Sequence, residues 1–356
     1  MRPKYMPNKS IRTLNDLVNH HLIPVEELPL LEQVVDDFLL GITPEMHQLI
    51  DKTNPTDPIA MQFVPTVNEL EITPSESDDP IGDQVHQKTK GIIHRYPDRC
   101  LLTPVHVCPV YCRFCFRKEK IGMGSQTLTP KELDGALEYI GNHPEIWEVI
   151  LTGGDPLILK PAQLAKLLQR LCSIKHVDVI RIHTRIPVVD SDRINEAMLQ
   201  ALQCEKPVYV VLHANHPNEF TPNAIKACHS LVKAGIPMLG QTVLLKNINN
   251  DIETLSTLMR CFIKNRIKPY YLHQGDLVRG SKHFRTTIEE GQRLMKALRG
   301  RFSGICQPTY VLDIPGGYGK VPIGPQYLHE SMDETEKPHY RIEDYQGHFH
   351  DYALIP

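Results

Sequence analysis

Cys108, Cys112 and Cys115 stand in a C-x3-C-x2-C spacing within CLLTPVHVCPVYCRFCFRKEKIG, the stretch from Cys100 to Gly122. The apolar run Leu101, Leu102, Val105 and Val107 reads as a strand that breaks at Pro109. A loop leaving a strand can turn three thiolates toward one point. Three thiolates leave a fourth ligand position open, which suits a cluster iron that must also hold a small molecule. Arg113, Arg117, Lys118 and Lys120 follow closely. Cations there would lower the thiol pKa values and offset the charge of a thiolate-ligated cluster. Short cysteine spacings also serve zinc, with His106 near enough to complete such a site. Free cysteines are, besides, often small core residues.

Other residues with chemical potential sit where strands should end. In LTGGDPL (Leu151 to Leu157), Gly153 and Gly154 lack Cβ atoms and so permit close backbone approach, ahead of Asp155. A tight strand-to-helix turn would use the same residues. HRYPDR (His94 to Arg99) gathers Arg95 and Arg99 around Tyr96, and paired arginines suit phosphate oxygens, although a surface charge cluster has the same composition. Downstream, DIPGGYGKVPIGP (Asp313 to Pro325) presents Lys320 on a glycine-rich loop. The spacing is not that of a Walker A loop, because Val321 follows the lysine. Lys320 could be a phosphate grip, a surface charge or an imine-forming amine. The last would pair with a phosphate site at Arg95, Tyr96 and Arg99 and point to pyridoxal phosphate.

The elements that must position these residues follow an α/β pattern. Strands are expected at Leu101–Val107, Glu148–Thr152, Val177–His183, Val208–His213, Met238–Leu244 and Pro269–His273. Helices are expected near Pro130–Gly141, Pro161–Cys172, Ser191–Leu202, Pro222–Ala234, Ile252–Asn265 and Thr287–Arg299. Such alternation predicts a parallel sheet with helical crossovers. Six units in about 200 residues fit a partial, TIM-like (β/α)6 barrel better than the eight-unit form of about 250. The cysteines, Gly153-Gly154-Asp155, His183-Thr184-Arg185, His213, Gln241 and Gln274-Gly275-Asp276 then fall at successive strand ends on one rim. Ahead of the barrel, Thr13–His20, Val25–Leu40 and a helix capped by Thr43 read as helical. Asp51 to Asp83 reads as an extended connection whose charged residues form a solvated surface.

Composition bounds the answer. The 356 residues carry 39 basic and 42 acidic side chains, a formal charge of −3, which argues against a nucleic-acid partner held by bulk charge. No apolar run reaches membrane-span length, so no membrane partner is expected. The opening MRPKYMPNKSIRTLNDLV has no apolar signal core, and nine scattered cysteines fit a reducing cytoplasm. A cytoplasmic location is expected.

Phe114, just before the last cysteine, makes the motif C-x3-C-x-aromatic-C, which resembles the signature of radical S-adenosylmethionine enzymes. With LTGGDPL, HANHPNE (His213 to Glu219), PYYLHQGDL (Pro269 to Leu277) and PGGYGK (Pro315 to Lys320), the chain resembles the lysine 2,3-aminomutase family from about residue 88 to 350. The resemblance implies a [4Fe-4S] cluster on Cys108, Cys112 and Cys115, with S-adenosyl-L-methionine on its fourth iron. Gly153, Gly154, Asp155, His213 and Gln241 would line the S-adenosylmethionine site. Lys320 would carry pyridoxal 5′-phosphate, with Arg95, Tyr96 and Arg99 on its phosphate. Arg117 would take the substrate carboxylate, and Asp276 and Asp313 the side-chain ammonium of L-lysine.

The implied reaction is the conversion of L-lysine to β-lysine by radical migration of the amino group. It would need an electron donor such as flavodoxin or ferredoxin. Arginine, which also ends in a cation, is the nearer competing substrate. A zinc-stabilised module without enzymatic activity is the reading from another class. The expected division is 1–90 as helical region and linker, 91–314 as partial barrel, and 315–356 as the Lys320 loop and tail. Quaternary structure stays open, a homo-oligomer included.

Overall fold

A computed structural model describes residues 9–122, 127–332 and 338–352; the first eight residues of the N-terminal stretch lie outside them. Ten strands form one open sheet in sequence order: β1 (Gln87–Thr89), β2 (Ile92–Tyr96), β3 (Arg99–Val105), β4 (Glu148–Gly153), β5 (Val179–Thr184), β6 (Val208–His213), β7 (Met238–Val243), β8 (Ile267–His273), β9 (Thr309–Ile314) and β10 (Gly319–Pro322). Strands β3 to β9 run parallel, while β1, β2 and β10 add antiparallel edges. No pairing joins β1 to β10, so the barrel is partial.

Each of β3 to β8 is followed by a crossover helix: Pro130–Gly141, Pro161–Cys172, Glu196–Leu202, Pro222–Lys233, Ile252–Lys264 and Ile288–Leu298. The starts of four are written in the chain. Thr129, Thr221, Asp251 and Thr287 each accept a backbone N–H at the N-cap, and prolines occupy the first turn after Thr129 and Thr221. Strand β4 is buried from Glu148 to Thr152 because helices cover one face and the site fills the other.

Two features depart from the expectation. The cationic HRYPDR segment is the tip of the β2–β3 hairpin, where Tyr96 pairs with Arg99. This puts two arginines and a tyrosine on one strand edge and adds strands ahead of Leu101. A hairpin needs only a two-residue turn, and Pro97-Asp98 supplies it.

The connection from Asp51 to Asp83 is only in part a solvated surface: Asp51, Lys52, Glu71 and Asp78 are exposed, as expected. It contains the helix Ala60–Phe63 and a 3-10 turn at Val67–Leu70, and Asp57, Glu69 and Asp83 are all buried. Glu69 accepts from Arg113 Nε at 2.8 Å and Nη2 at 2.7 Å, and Lys118 lies 3.5 Å away. Their partners lie far along the chain, which is why local composition did not reveal them. Leu17, Leu31, Val34 and Met46 of the N-terminal helices, with Phe38 just past one of them, share one hydrophobic core with the barrel. A separate three-stranded sheet, β11 (Leu328–Met332), β12 (Pro338–Glu343) and β13 (Phe349–Tyr352), follows the barrel.

Candidate active site

A cavity of about 570 Å³ runs inside the partial barrel, within the size range of small-molecule sites. The fifteen residues given a ligand role by the resemblance all line it: the three cysteines, Arg95, Tyr96, Arg99, Arg117, Gly153, Gly154, Asp155, His213, Gln241, Asp276, Asp313 and Lys320; of the other rim residues, His183, Thr184 and Arg185 line it and Gln274 and Gly275 do not. Asp83, Arg181, His183, Arg185, Tyr271 and His273 join them, unremarked in the sequence as ligand-handling groups.

The cysteine loop leaves β3 and is fastened from both sides. Gly154 N–H donates to Val105 O at 2.8 Å, and Asp155 N–H to Val107 O at 3.0 Å. A Cβ on Gly154 would fall 2.2 Å from Val107 O, and one on Gly153 2.7 Å from Val105 O. The missing side chains therefore make room first for the chain's own cysteine-bearing segment. Asp155 also faces inward. Its carboxylate accepts from Thr184 Oγ1 at 2.8 Å, Arg185 N–H at 2.7 Å and Leu157 N–H at 3.1 Å.

The charges of Arg117 and Lys118 do lower Cys115, as expected, but the cations next to the cysteines make their ion pairs elsewhere. Arg113 and Lys118 turn to Glu69, Arg117 to Asp83, and Lys120 lies 3.7 Å from Asp79. The cation that reaches the trio comes from beyond β5: Arg185 Nη1 lies 2.9 Å from Cys112 Sγ, while its Nη2 donates to the buried Glu219 at 2.5 Å. Burial raises all three thiols, Cys115 to about 11, and mutual repulsion adds to the rise at Cys108 and Cys115. Such thiols ionise only against a bound cation. Among the described residues no three His, Cys, Asp or Glu side chains close on a single metal ion, and His106 does not line the cavity. Three thiols on one cavity wall can each take one iron of a cluster. His183 and Arg185 also line the cavity, and His183 Nε2 and Arg185 Nε are buried without a hydrogen-bond partner.

At the other wall, β2, β3, β9 and β10 bring Arg95, Tyr96, Arg99, Asp313 and Lys320 together. Tyr96 Oη accepts from Lys320 N–H at 2.7 Å, and the Arg99 guanidinium stacks over the Tyr96 ring at 3.9 Å. Gly319, at φ +96°, passes this phenol where a Cβ would stand 3.0 Å from Oη. Arg95 donates to Ile81 O and to Asp83, and its Nε is buried without a partner. An anion-accepting donor next to a cavity lysine fits the phosphate and carbonyl of pyridoxal phosphate.

Lys320 Nζ forms an ion pair with Asp313 and sits 3.3 Å from His273 Nδ1. The two acids behave differently. Burial alone would raise Asp313, but its contacts with His273 and Lys320 hold the carboxyl well below the usual range. Burial and the charge of Asp313 push Asp276 up to about 7. Asp276 has no ion pair or side-chain hydrogen bond among the described residues. Burial likewise keeps His183 and His213 neutral, and His213 Nε2 meets Asn215 Oδ1 at 3.1 Å.

A cysteine trio on the rim of an open parallel barrel, with a backbone-fastened Gly-Gly turn beside it, defines a radical S-adenosylmethionine enzyme. The family described as the Radical SAM superfamily matches residues 102–258, and the family described as Lysine-2,3-aminomutase matches residues 295–337, which include Lys320. L-lysine 2,3-aminomutase of Acetoanaerobium sticklandii is 39% identical over 91% of this chain and 78% of its own. That of Clostridium subterminale is 36% identical over the same shares, and glutamate 2,3-aminomutase of Clostridioides difficile is 37% identical over 91% and 77%. The chain belongs to the lysine 2,3-aminomutase family. It is an isomerase, an aminomutase acting on an amino acid, and its cofactors are a [4Fe-4S] cluster, S-adenosylmethionine and pyridoxal phosphate. No helix among the described residues is long and apolar enough to cross a membrane.

Proposed function

We propose that the amino acid is L-lysine and that the product is β-lysine. The observation that carries this reading is Asp276, a half-buried carboxyl on the cavity wall with no ion pair among the described residues, whose rise only the more distant charges of Lys320 and Arg117 oppose. Burying a carboxylate is costly unless a cation meets it. A substrate ending in an ammonium supplies that cation, whereas one ending in a carboxylate would be repelled by two acids.

The cofactors supply one-electron chemistry and a conjugated system over which the amino group migrates. The protein's residues do the rest. Cys108, Cys112 and Cys115 would hold the cluster. Gly153, Gly154, Asp155, His213 and Gln241 would border S-adenosylmethionine, Asp155 mainly by fixing the turn. Arg95, Tyr96 and Arg99 would hold the pyridoxal phosphate group, and Lys320 its carbonyl carbon. Arg117 would orient the substrate carboxylate, with Asp276 at the opposite end of the lysine. Asp313 becomes available to the substrate ammonium as Lys320 gives up its charge. Two fixed ends place the β-carbon, and a cavity lined by buried groups keeps water from the reacting atoms. The electron would come from a flavodoxin or ferredoxin.

The test is anaerobic turnover of reconstituted protein with L-lysine, read as β-lysine by mass spectrometry. β-Lysine forming without matching loss of S-adenosylmethionine is the expected result. An intact cluster and bound pyridoxal phosphate with no β-lysine would overturn the choice of substrate and direct the same assay to arginine.

A further inference from the structure

We propose that His273 is the proton acceptor for the Lys320 ammonium. The inference rests on the reading of Lys320 as the amine that captures a carbonyl. An amine adds to a carbonyl carbon only as the free base. A lysine ordinarily titrates near 10.4, so near neutral pH fewer than about one in a thousand is in that form. Asp313 is ion-paired with that ammonium. The site therefore needs a group that can take the proton without stripping Asp313 of its counter-charge.

His273 meets that requirement. It ends β8, and its Nδ1 lies 3.3 Å from Lys320 Nζ and 3.7 Å from Asp313 Oδ2. The imidazole has no hydrogen bond or ion pair beyond these two residues among the described ones. Its ring packs edge-on to Tyr271 at 5.6 Å, which fixes its orientation. The transfer moves one proton from Nζ to Nδ1. The positive charge passes from Lys320 to His273 and stays opposite the Asp313 carboxylate, so no net charge is created in the cavity.

Burial first, and the Lys320 charge second, lower His273 to about 4, with Asp313 opposing both. The second influence disappears as the proton leaves Lys320. The other groups around the pair are Asp276, Arg117, Arg95 at 4.0 Å from Asp313 Oδ1, and His183 and His213 on facing strands. None of them makes a hydrogen bond to Lys320 among the described residues. Asp313 stays as the carboxylate opposite the transferred charge, paired with Lys320 before the transfer and 3.7 Å from His273 Nδ1.

The test uses the folded chain without cofactors, so that it does not depend on pyridoxal phosphate. Wild type and His273→Asn are treated with formaldehyde and cyanoborohydride, and methylation of Lys320 is followed by peptide mass spectrometry. Asn retains a hydrogen-bond acceptor but cannot take a proton, so a purely positional role predicts no change. We expect Lys320 methylation near pH 7 to slow by about tenfold or more in the variant, with the deficit closing at high pH as hydroxide removes the proton. The exposed Lys264 serves as the internal control. Equal Lys320 rates near pH 7 overturn the proposal. If His273→Asn does not fold, His273→Gln carries the same comparison.

A second measurement separates this inference from the reading beneath it. Covalent capture of pyridoxal phosphate should slow in the variant, while affinity for pyridoxine 5′-phosphate, which has no carbonyl, should be unchanged. Capture at a lysine other than Lys320 in the wild type would sink the cofactor assignment, yet the methylation comparison would still decide the proton transfer.

Discussion

Asp83 Oδ2 accepts two hydrogen bonds from Arg117, from Nε at 3.0 Å and Nη2 at 2.8 Å. The other oxygen of the same carboxylate accepts from Arg95 Nη2 at 3.2 Å. One acid from the N-terminal connection thus holds the two arginines assigned to two different ligands. Removing its charge would leave Arg117 without its ion pair and Arg95 with Asp313 alone, 4.0 Å away. Asp83→Asn should cost up to about 3 kcal/mol of stability, seen in thermal melts. Added phosphate should recover more of the loss in the variant than it adds to the wild type. An unchanged melting temperature would remove Asp83 from this role.

Glu69 is the corresponding anchor for the cysteine loop. It neutralises Arg113 and Lys118, which flank Cys112 and Cys115, from a turn more than forty positions earlier. Burial lowers Lys118 to about 8, with Glu69 opposing the fall. Glu69→Gln leaves both cations short of charge and should destabilise the protein by about 3–5 kcal/mol. Reconstituted iron should drop with it. Full iron content in a chain of normal stability would contradict the anchoring.

For Asp276 the prediction concerns pH. Its carboxyl, pushed up to about 7, must be ionised to meet a substrate ammonium. Substrate binding should therefore be complete above pH 7 and weaken on acidification, with KM rising about tenfold per unit below that point. Asp276→Asn should raise KM at pH 8, flatten this dependence and leave the iron content intact. A variant with wild-type KM and the same pH profile would exclude the ammonium contact.

Gly154→Ala tests the fastening of the Gly-Gly turn. The added Cβ would stand 2.2 Å from a carbonyl oxygen of the cysteine-bearing segment, and backbone cannot yield as a flexible side chain can. A loss of about 1–3 kcal/mol is expected, together with poorer cluster assembly. If iron uptake and stability were unaltered, the close approach would not matter.

Much of this protein could be read without coordinates because its signals are local. Parallel strands buried on both faces give apolar runs, and Thr-Pro pairs mark helix starts, so β4 and the helices Pro130–Gly141 and Pro222–Lys233 lie where periodicity put them. The cavity-lining residues were legible for the same reason: a βα barrel places successive strand ends on one rim, whatever the intervening sequence. Charge pairing was not legible. Whether Arg113 serves the cysteines or Glu69, and whether Asp83 is solvated or buried between Arg95 and Arg117, depends on which distant segment folds against them. Nor could the sequence distinguish Asp276 from Asp313, two similar acids near turns. The fold brings Lys320 and His273 to one of them and leaves the other without an ion pair among the described residues, so burial lowers one acidity while contact strengthens the other. Sequence determined which chemical groups would share a cavity. Only the tertiary structure decided which charges were already answered within it, because Coulomb and desolvation energies depend on distances between residues that the chain order does not contain.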